Sequence, residues 1–239
     1  MFYLRALFSA GMVAAALFSS TALSAVGMQP ETSLVLLNMA EGGGSINVTN
    51  NDHQASLLHI TLYDLPDYKD NVVPQVIVTQ PISRVDGGAM QRVRFVVSSA
   101  EPIKVEHFKR VIFEGIQQRT PGSSQKVAFT VRHDLPVLIR PEGLPEVKDP
   151  WTRLTWSVKG KELTVTNPSP YVVRLSPQLQ LLPSKTAATL AKTYILPGQT
   201  LTAKVASSAS LAGNTQIKLM PASRYGFQVD DYFAPLVSL

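Results

Sequence analysis

Apolar residues recur at every second position through most of this chain, and that periodicity constrains the fold more than any other feature of the sequence. Ile46 and Val48 alternate with polar residues in one run, and Val93, Phe95 and Val97 do so in another. Groups rich in glycine or asparagine, which favour turns, separate such runs (Glu41–Gly44, Asn50–Asp52 and Asp86–Gly88). A period of two puts apolar side chains on one face of a strand. The pattern therefore predicts an all-β fold of sandwiched strands.

A proline-rich segment divides the chain into two such β regions. The segment Arg140–Pro150 contains one glycine and three prolines, a composition typical of a hinge between domains. Alternation resumes after it with Leu154, Trp156 and Val158. We predict an N-terminal sandwich domain over residues 26–143 and a C-terminal sandwich domain over residues 144–239.

The N-terminus indicates export. Arg5 precedes an apolar stretch, Ala6–Phe18, and small residues follow it over Ser19–Ala25. These are the three regions of a secretory signal peptide, which we predict over residues 1–25. The apolar stretch is too short to cross the roughly 30 Å hydrocarbon core of a bilayer, so a membrane anchor is not expected.

Charge and composition exclude several classes of function. The net charge is +5 and the basic residues are scattered, so we expect no nucleic-acid partner. The chain has no cysteine, which excludes disulfides and thiol chemistry. Its four histidines lack metal-ligand spacing, and neither a nucleophile elbow nor a phosphate-binding loop occurs. We therefore expect no enzymatic activity, no metal and no cofactor.

The segment Lys126–Arg140 is the most unusual part of the pattern, because it is longer than the usual strand of about five or six residues. Six apolar residues share one of its faces: Val127, Phe129, Val131, Leu135, Val137 and Ile139. One interpretation is a long core strand that also bridges the domains. The other is that Leu135–Ile139 packs in the core while the three preceding apolar residues form an exposed edge for strand addition to a partner.

Several short motifs, taken in their order and spacing, resemble one known family. Those of the first region are Ile46–Asn51, Gln91–Phe95, Glu106–Glu114 and Leu135–Pro141, and those of the second are Leu163–Val173 and Tyr194–Gly198. With them, nearly the whole mature chain resembles the PapD-like periplasmic chaperones of the chaperone–usher pathway for pilus assembly.

The resemblance implies two immunoglobulin-like β-sandwich domains set at an angle, with a subunit-binding cleft between them. It implies that the last strand of the first domain inserts alternating apolar residues into a pilin that lacks its own final strand. By position, the donor residues are Val127, Phe129 and Val131. The implied partners are a pilus subunit and an outer-membrane usher, and the implied compartment is the periplasm.

One departure from the family concerns the anchor for the C-terminal carboxylate of the subunit. Common members use an arginine in the first strand and a lysine in the last, but the matching positions here lie near Ser33 and Pro136. The pattern around Arg132 is similar to that of the divergent archaic or alternate chaperones. Arg132 is therefore the first candidate for the anchor, or else a solvated strand residue. Lys109 and Arg110 are further candidates, and Arg110 has the alternative of pairing with Glu106 or Glu114.

Two other functions are compatible with sandwich domains: a structural or adhesive fimbrial component, and a hydrolase or carbohydrate-binding module. A pilin would carry an N-terminal donor extension and lack a closing strand. We expect the mature chain to start almost at once with a strand and the second domain to have a full set of strands, which favours a chaperone. We also expect the free protein to self-associate through its exposed edge.

Overall fold

The computed structural model describes residues 27–68, 74–117, 130–205 and 211–239. The predicted signal peptide and two of the three predicted donor residues, Val127 and Phe129, lie outside these ranges. Within them, no helix is long and apolar enough to cross a membrane.

Nine strands of the described residues form the first β region. They are β1 (Met28–Pro30), β2 (Val35–Asn38), β3 (Gly43–Asn50), β4 (Ser56–Asp64), β5 (Gln75–Val78), β6 (Ile82–Val85), β7 (Met90–Ser98), β8 (His107–Gln117) and β9 (Arg132–Arg140). Their order is β5-β7-β3-β2-β9-β8-β4-β6, and β1 pairs with β3. A single residue pair, Asn38 with Gly43, joins β2 to β3. The strands on either side of this joint form the two layers of a sandwich.

The core of the first region lies between these layers and follows the alternation of the sequence. Phe95 of β7 meets Phe113 of β8 edge to face, with ring centroids 6.5 Å apart, and both side chains are fully buried. In β9, Val137 and Ile139 are also fully buried in this core. The C-terminal half of β9 is thus held in its own domain, as the sequence predicts.

The second β region contains eight strands among the described residues. They are β10 (Thr155–Lys159), β11 (Glu162–Thr166), β12 (Val173–Leu182), β13 (Ala187–Thr189), β14 (Tyr194–Ile195), β15 (Thr200–Val205), β16 (Gln216–Pro221) and β17 (Tyr232–Ser238). Their order is β13-β15-β11-β10-β17-β16-β12-β14, and β13 also pairs with β12. Its core surrounds Trp156, and Trp151 packs against the same cluster.

The two regions meet through a third apolar cluster. Its buried members come from both sides of the hinge: Leu34, Leu65, Phe108 and Leu138 from the first, Val172 and Leu196 from the second. The predicted all-β class with two sandwich domains is confirmed. The predicted boundary after residue 143 stays a prediction; it falls between β9, which ends at Arg140, and β10, which begins at Thr155.

Candidate functional site

One edge of β9 is only partly paired. Along one side, β9 pairs with β8 over its length, from Arg132 opposite Glu114 to Ile139 opposite His107. Along the other side, β2 pairs only with Val137–Arg140. Among the described residues, no strand lies beside Arg132–Pro136 on that second side. This stretch therefore presents unpaired main-chain groups of the kind that accept an added strand.

A groove with a volume of about 520 Å³ runs along this unpaired edge. His133 and Leu135 line it from β9, the segment Gln29–Ser33 lines it from the start of the first domain, and Tyr225 and Phe227 line it from the second domain. Val131, the one donor candidate within the described residues, precedes the unpaired edge, and this residue is 40% exposed.

Arg110 lies on the face of β8 that bears Phe108, opposite Pro136 of β9. Its Nε donates to Asp134 Oδ1 (3.0 Å) and its Nη2 to the Asp134 carbonyl (2.9 Å). Tyr63 Oη donates to the other carboxylate oxygen of Asp134 (2.7 Å). Burial alone would lower the pKa of Arg110, but the interactions of its guanidinium with Asp134 and with Tyr63 outweigh burial and raise that pKa. The Arg110 guanidinium is thus charged and is fixed in position by Asp134, and it pairs with Asp134 rather than with Glu106 or Glu114.

The other two anchor candidates have different surroundings. The Arg132 side chain is 57% exposed and lies 3.7 Å from Glu114, so it is a solvated strand residue in the free protein. The Lys109 side chain is only 8% exposed and forms an ion pair with Asp64. Because successive strand residues face opposite ways, Lys109 points away from the face that bears Arg110. Arg110 and Arg132 therefore share a face, and Lys109 does not.

Sequence reasoning missed a further cation, Arg174 of β12. Its Nη1 donates to the Arg224 carbonyl (2.7 Å), and within the described ranges no acidic side chain pairs with it. It lines a cavity of about 930 Å³ at the domain junction. Burial and the positive charge of Arg110 lower the pKa of Arg174. The signal in the sequence is an arginine inside the apolar run Tyr171–Leu175.

Two carboxylates of the first domain connect it to the second. Glu106 accepts the main-chain N–H of Val172 (2.9 Å), and Arg140 Nε lies 3.8 Å from it; burial raises the pKa of Glu106. Asp67 accepts bonds from Lys192, Tyr194 Oη (2.9 Å) and Gln199 Nε2 (2.8 Å).

Asp67→Asn is expected to weaken the junction. Burial raises the pKa of Asp67, but its bonds from Lys192, Tyr194 and Gln199 outweigh burial, so the net pKa is lowered. Because the pKa of Asp67 is lower in the folded than in the unfolded protein, the ionised carboxylate stabilises the fold at pH values above the unfolded pKa of about 4. This stabilisation is lost as the pH falls through the folded pKa. We expect the free energy of unfolding of the variant to be about 1–3 kcal/mol lower than that of wild type at neutral pH. In acid, the difference between the two proteins should disappear.

The measurement is urea unfolding of both proteins at about pH 7 and about pH 2.5. Asp86→Asn is the matched control, because Asp86 pairs with Arg84 while its side chain is 73% exposed; such a pair contributes about 0–1 kcal/mol. If wild type and Asp67→Asn differ in free energy of unfolding by the same amount at both pH values, the ionised Asp67 carboxylate does not stabilise the junction.

Comparison with known proteins identifies the family. Residues 27–145 match the pili and flagellar-assembly chaperone model, PapD N-terminal domain. Residues 149–233 match the C-terminal domain model of the pili assembly chaperone PapD. This chain belongs to the PapD-like family of fimbrial chaperones. It is 41% identical over 212 residues to YhcA, an uncharacterised fimbrial chaperone of Escherichia coli (strain K12), covering 89% of this chain and 92% of that protein.

Solved structures share the fold of this PapD-like chaperone. One is a chain of the Salmonella enterica SafA pilin in complex with the SafB chaperone, with a TM-score of 0.69, 16% identity, and coverage of 89% of this chain and 97% of that one. Another belongs to the CsuC–CsuE chaperone–tip adhesion subunit complex of the archaic Csu pili of Acinetobacter baumannii, with a TM-score of 0.59, 18% identity, and coverage of 90% and 100%. The predicted immunoglobulin-like domains and the predicted chaperone class are confirmed.

Proposed function

We propose that this chaperone acts in the periplasm, where it lends the N-terminal part of its last first-domain strand to an incomplete pilus subunit and presents that subunit to an outer-membrane usher. The single observation that carries the proposal is the unpaired edge of Arg132–Pro136 within β9. Membership of the fimbrial chaperone family and the leader-like residues 1–25 support the compartment and the partners.

The two halves of β9 have different neighbours, and this division suits strand donation. Val137–Arg140 lies between β8 and β2, which keeps the strand in its own domain. Towards Val131, β8 is the only strand of the described ranges that lies beside β9, so the other side is available to a partner strand. Burial of Val127, Phe129 and Val131 in a subunit groove would contribute roughly 5–9 kcal/mol, part of which the loss of rigid-body freedom on association offsets.

The anchor for the C-terminal carboxylate of the subunit is proposed to be Arg110, assisted by Arg174. Arg110 lies beside Pro136, where the common family members carry a lysine, and a guanidinium binds a carboxylate through two hydrogen bonds. After burial, the positive charge of Arg110 is the second cause that lowers the pKa of Arg174 in the second domain, so the two charges repel each other. An anion between them would relieve that repulsion. Arg132 lies four residues from Pro136 along β9, and Lys109 lies on the opposite face of β8 from Arg110.

Co-expression with the cognate subunit tests the proposal. The subunit is produced in the periplasm with and without the affinity-tagged chaperone, and soluble subunit is measured in the extract and on the affinity resin. We expect soluble subunit to accumulate only with the chaperone and to elute with it. A subunit that is equally soluble without the chaperone, or that never elutes with it, contradicts the proposal.

A further inference from the structure

The turn between β16 and β17 presents an aromatic side chain at the domain junction. Phe227 is 69% exposed and Tyr225, two residues earlier, is 41% exposed. Both line the groove that runs along the unpaired edge of β9, together with His133 and Leu135. The groove is thus lined by residues of the strand edge and by two aromatic residues of the second domain.

This turn is internally fixed. Ser223 N–H donates to the Phe227 carbonyl (2.8 Å) and Phe227 N–H donates to Ser223 Oγ (3.2 Å). Gly226 has a φ of +86°, a value that favours glycine. A Cβ there would lie 2.8 Å from Arg174 Nη2, so the turn packs closely on that guanidinium. The exposed ring of Phe227 therefore sits on backbone that is already ordered.

The turn is also fastened to the first domain. Ser33 Oγ donates to the Tyr225 carbonyl, which connects the turn to the segment Gln29–Ser33 of the groove lining. Arg174 holds it from the second domain through the Arg224 carbonyl. A large apolar side chain on a rigid support loses little conformational entropy when a partner covers it. Such side chains are typical energetic centres of interfaces.

We propose that the Ser223–Val229 turn is a second contact element for the bound subunit, with Phe227 packing on the subunit strand that pairs with the open edge of β9. This inference rests on the proposed function and adds a specificity-determining residue from the second domain. The occupant is an extended segment, because unpaired strand main chain bounds the groove and pairs with extended chain. Its side chains facing Phe227 are apolar, since the ring offers no hydrogen bond.

A competition assay tests the inference. Wild-type chaperone and Phe227→Ser, carrying different affinity tags, are co-expressed with a limiting amount of cognate subunit, and the subunit on each tag is quantified. We expect the variant to capture at least about fivefold less subunit than wild type. Phe233→Ser is the matched control, because Phe233 is 49% exposed on β17 and does not line the groove. It is expected to compete equally with wild type.

Three readouts decide the outcome. Thermal unfolding of Phe227→Ser should match wild type, which excludes misfolding as the cause; a Phe227→Leu variant that recovers part of the capture supports an apolar contact. Equal capture by Phe227→Ser overturns the inference, and the proposed function still stands if Phe129→Asp abolishes capture in the same assay. If Phe227→Ser changes only the oligomeric state of the free protein, the occupant is a second copy of this chain and the inference is wrong.

Discussion

Phe129→Asp is expected to reduce the recovered chaperone–subunit complex to less than about a tenth of the wild-type amount. The proposed donor strand places Phe129 in an apolar groove of the subunit. An aspartate at this position would bury a carboxylate in the apolar groove with no hydrogen-bond donor or positive charge beside it, which costs several kcal/mol. The measurement is the yield of subunit that co-elutes with tagged chaperone from periplasmic extracts.

The control for this substitution is Thr130→Asp. Thr130 is exposed and is next in the chain, so it falls on the opposite face of an extended strand. Thr130→Asp adds the same charge and is expected to retain most of the complex. Both variants should unfold at the wild-type temperature. Full recovery of complex with Phe129→Asp would show that another segment binds the subunit.

Arg110→Ala is expected to weaken subunit binding by about tenfold to a hundredfold, because a hydrogen bond to a charged group contributes about 1.5–3 kcal/mol. Arg110→Lys should recover part of the affinity, since lysine keeps the positive charge but cannot form the bidentate hydrogen bonds of a guanidinium with a carboxylate. Arg174→Gln should have a smaller effect of the same sign, because glutamine retains a donor for the Arg224 carbonyl but carries no charge. Competition between tagged wild type and each variant measures these losses.

A subunit extended by a few residues at its C-terminus distinguishes a carboxylate anchor from a general loss of folding. The extension moves the carboxylate away from Arg110, so the extended subunit should bind wild type and Arg110→Ala equally weakly. Arg132→Ala is the comparison variant, and a small effect is expected because its side chain is 57% exposed. A large loss with Arg132→Ala and none with Arg110→Ala would assign the anchor to Arg132.

The strands with clear alternation could be predicted from the sequence because their signal is local. Val93, Phe95 and Val97 are all buried while the residues between them are exposed, and a window of a few residues contains that information. The strand β1 (Met28–Pro30) carries no such pattern. Met28 is buried because Gly115, far along the chain, leaves room for it; a Cβ at Gly115 would lie 3.0 Å from Met28 Cγ. That complementarity exists only after folding.

The contacts of the candidate site could not be predicted from the sequence for the same reason: they join residues that meet only after folding. The sequence offered Glu106 or Glu114 as the partner of Arg110, whereas its partner is Asp134, on the neighbouring strand. The role of Arg174 depends on a turn fifty residues later (Arg224) and on the docking of two domains. The contacts of Asp67 with Lys192 and Gln199 span the hinge. Long-range pairings of this kind leave no periodic signal.

The position of β9 in its sheet has a consequence for which subunits fit. Val137 and Ile139 are buried in the first-domain core and Leu138 in the cluster between the domains, so β9 cannot slide along its axis without exposing all three. An extended strand rises about 3.3 Å per residue, so Val131 lies roughly 17 Å from Pro136, the residue beside Arg110, and a donor strand that is extended when bound would place each earlier proposed donor residue about 6.6 Å further. With the anchor and donor strand proposed above, the chaperone would fix the spacing between the bound carboxylate and the donor side chains. We then expect it to accept only a subunit whose C-terminus and acceptor groove are separated by that spacing.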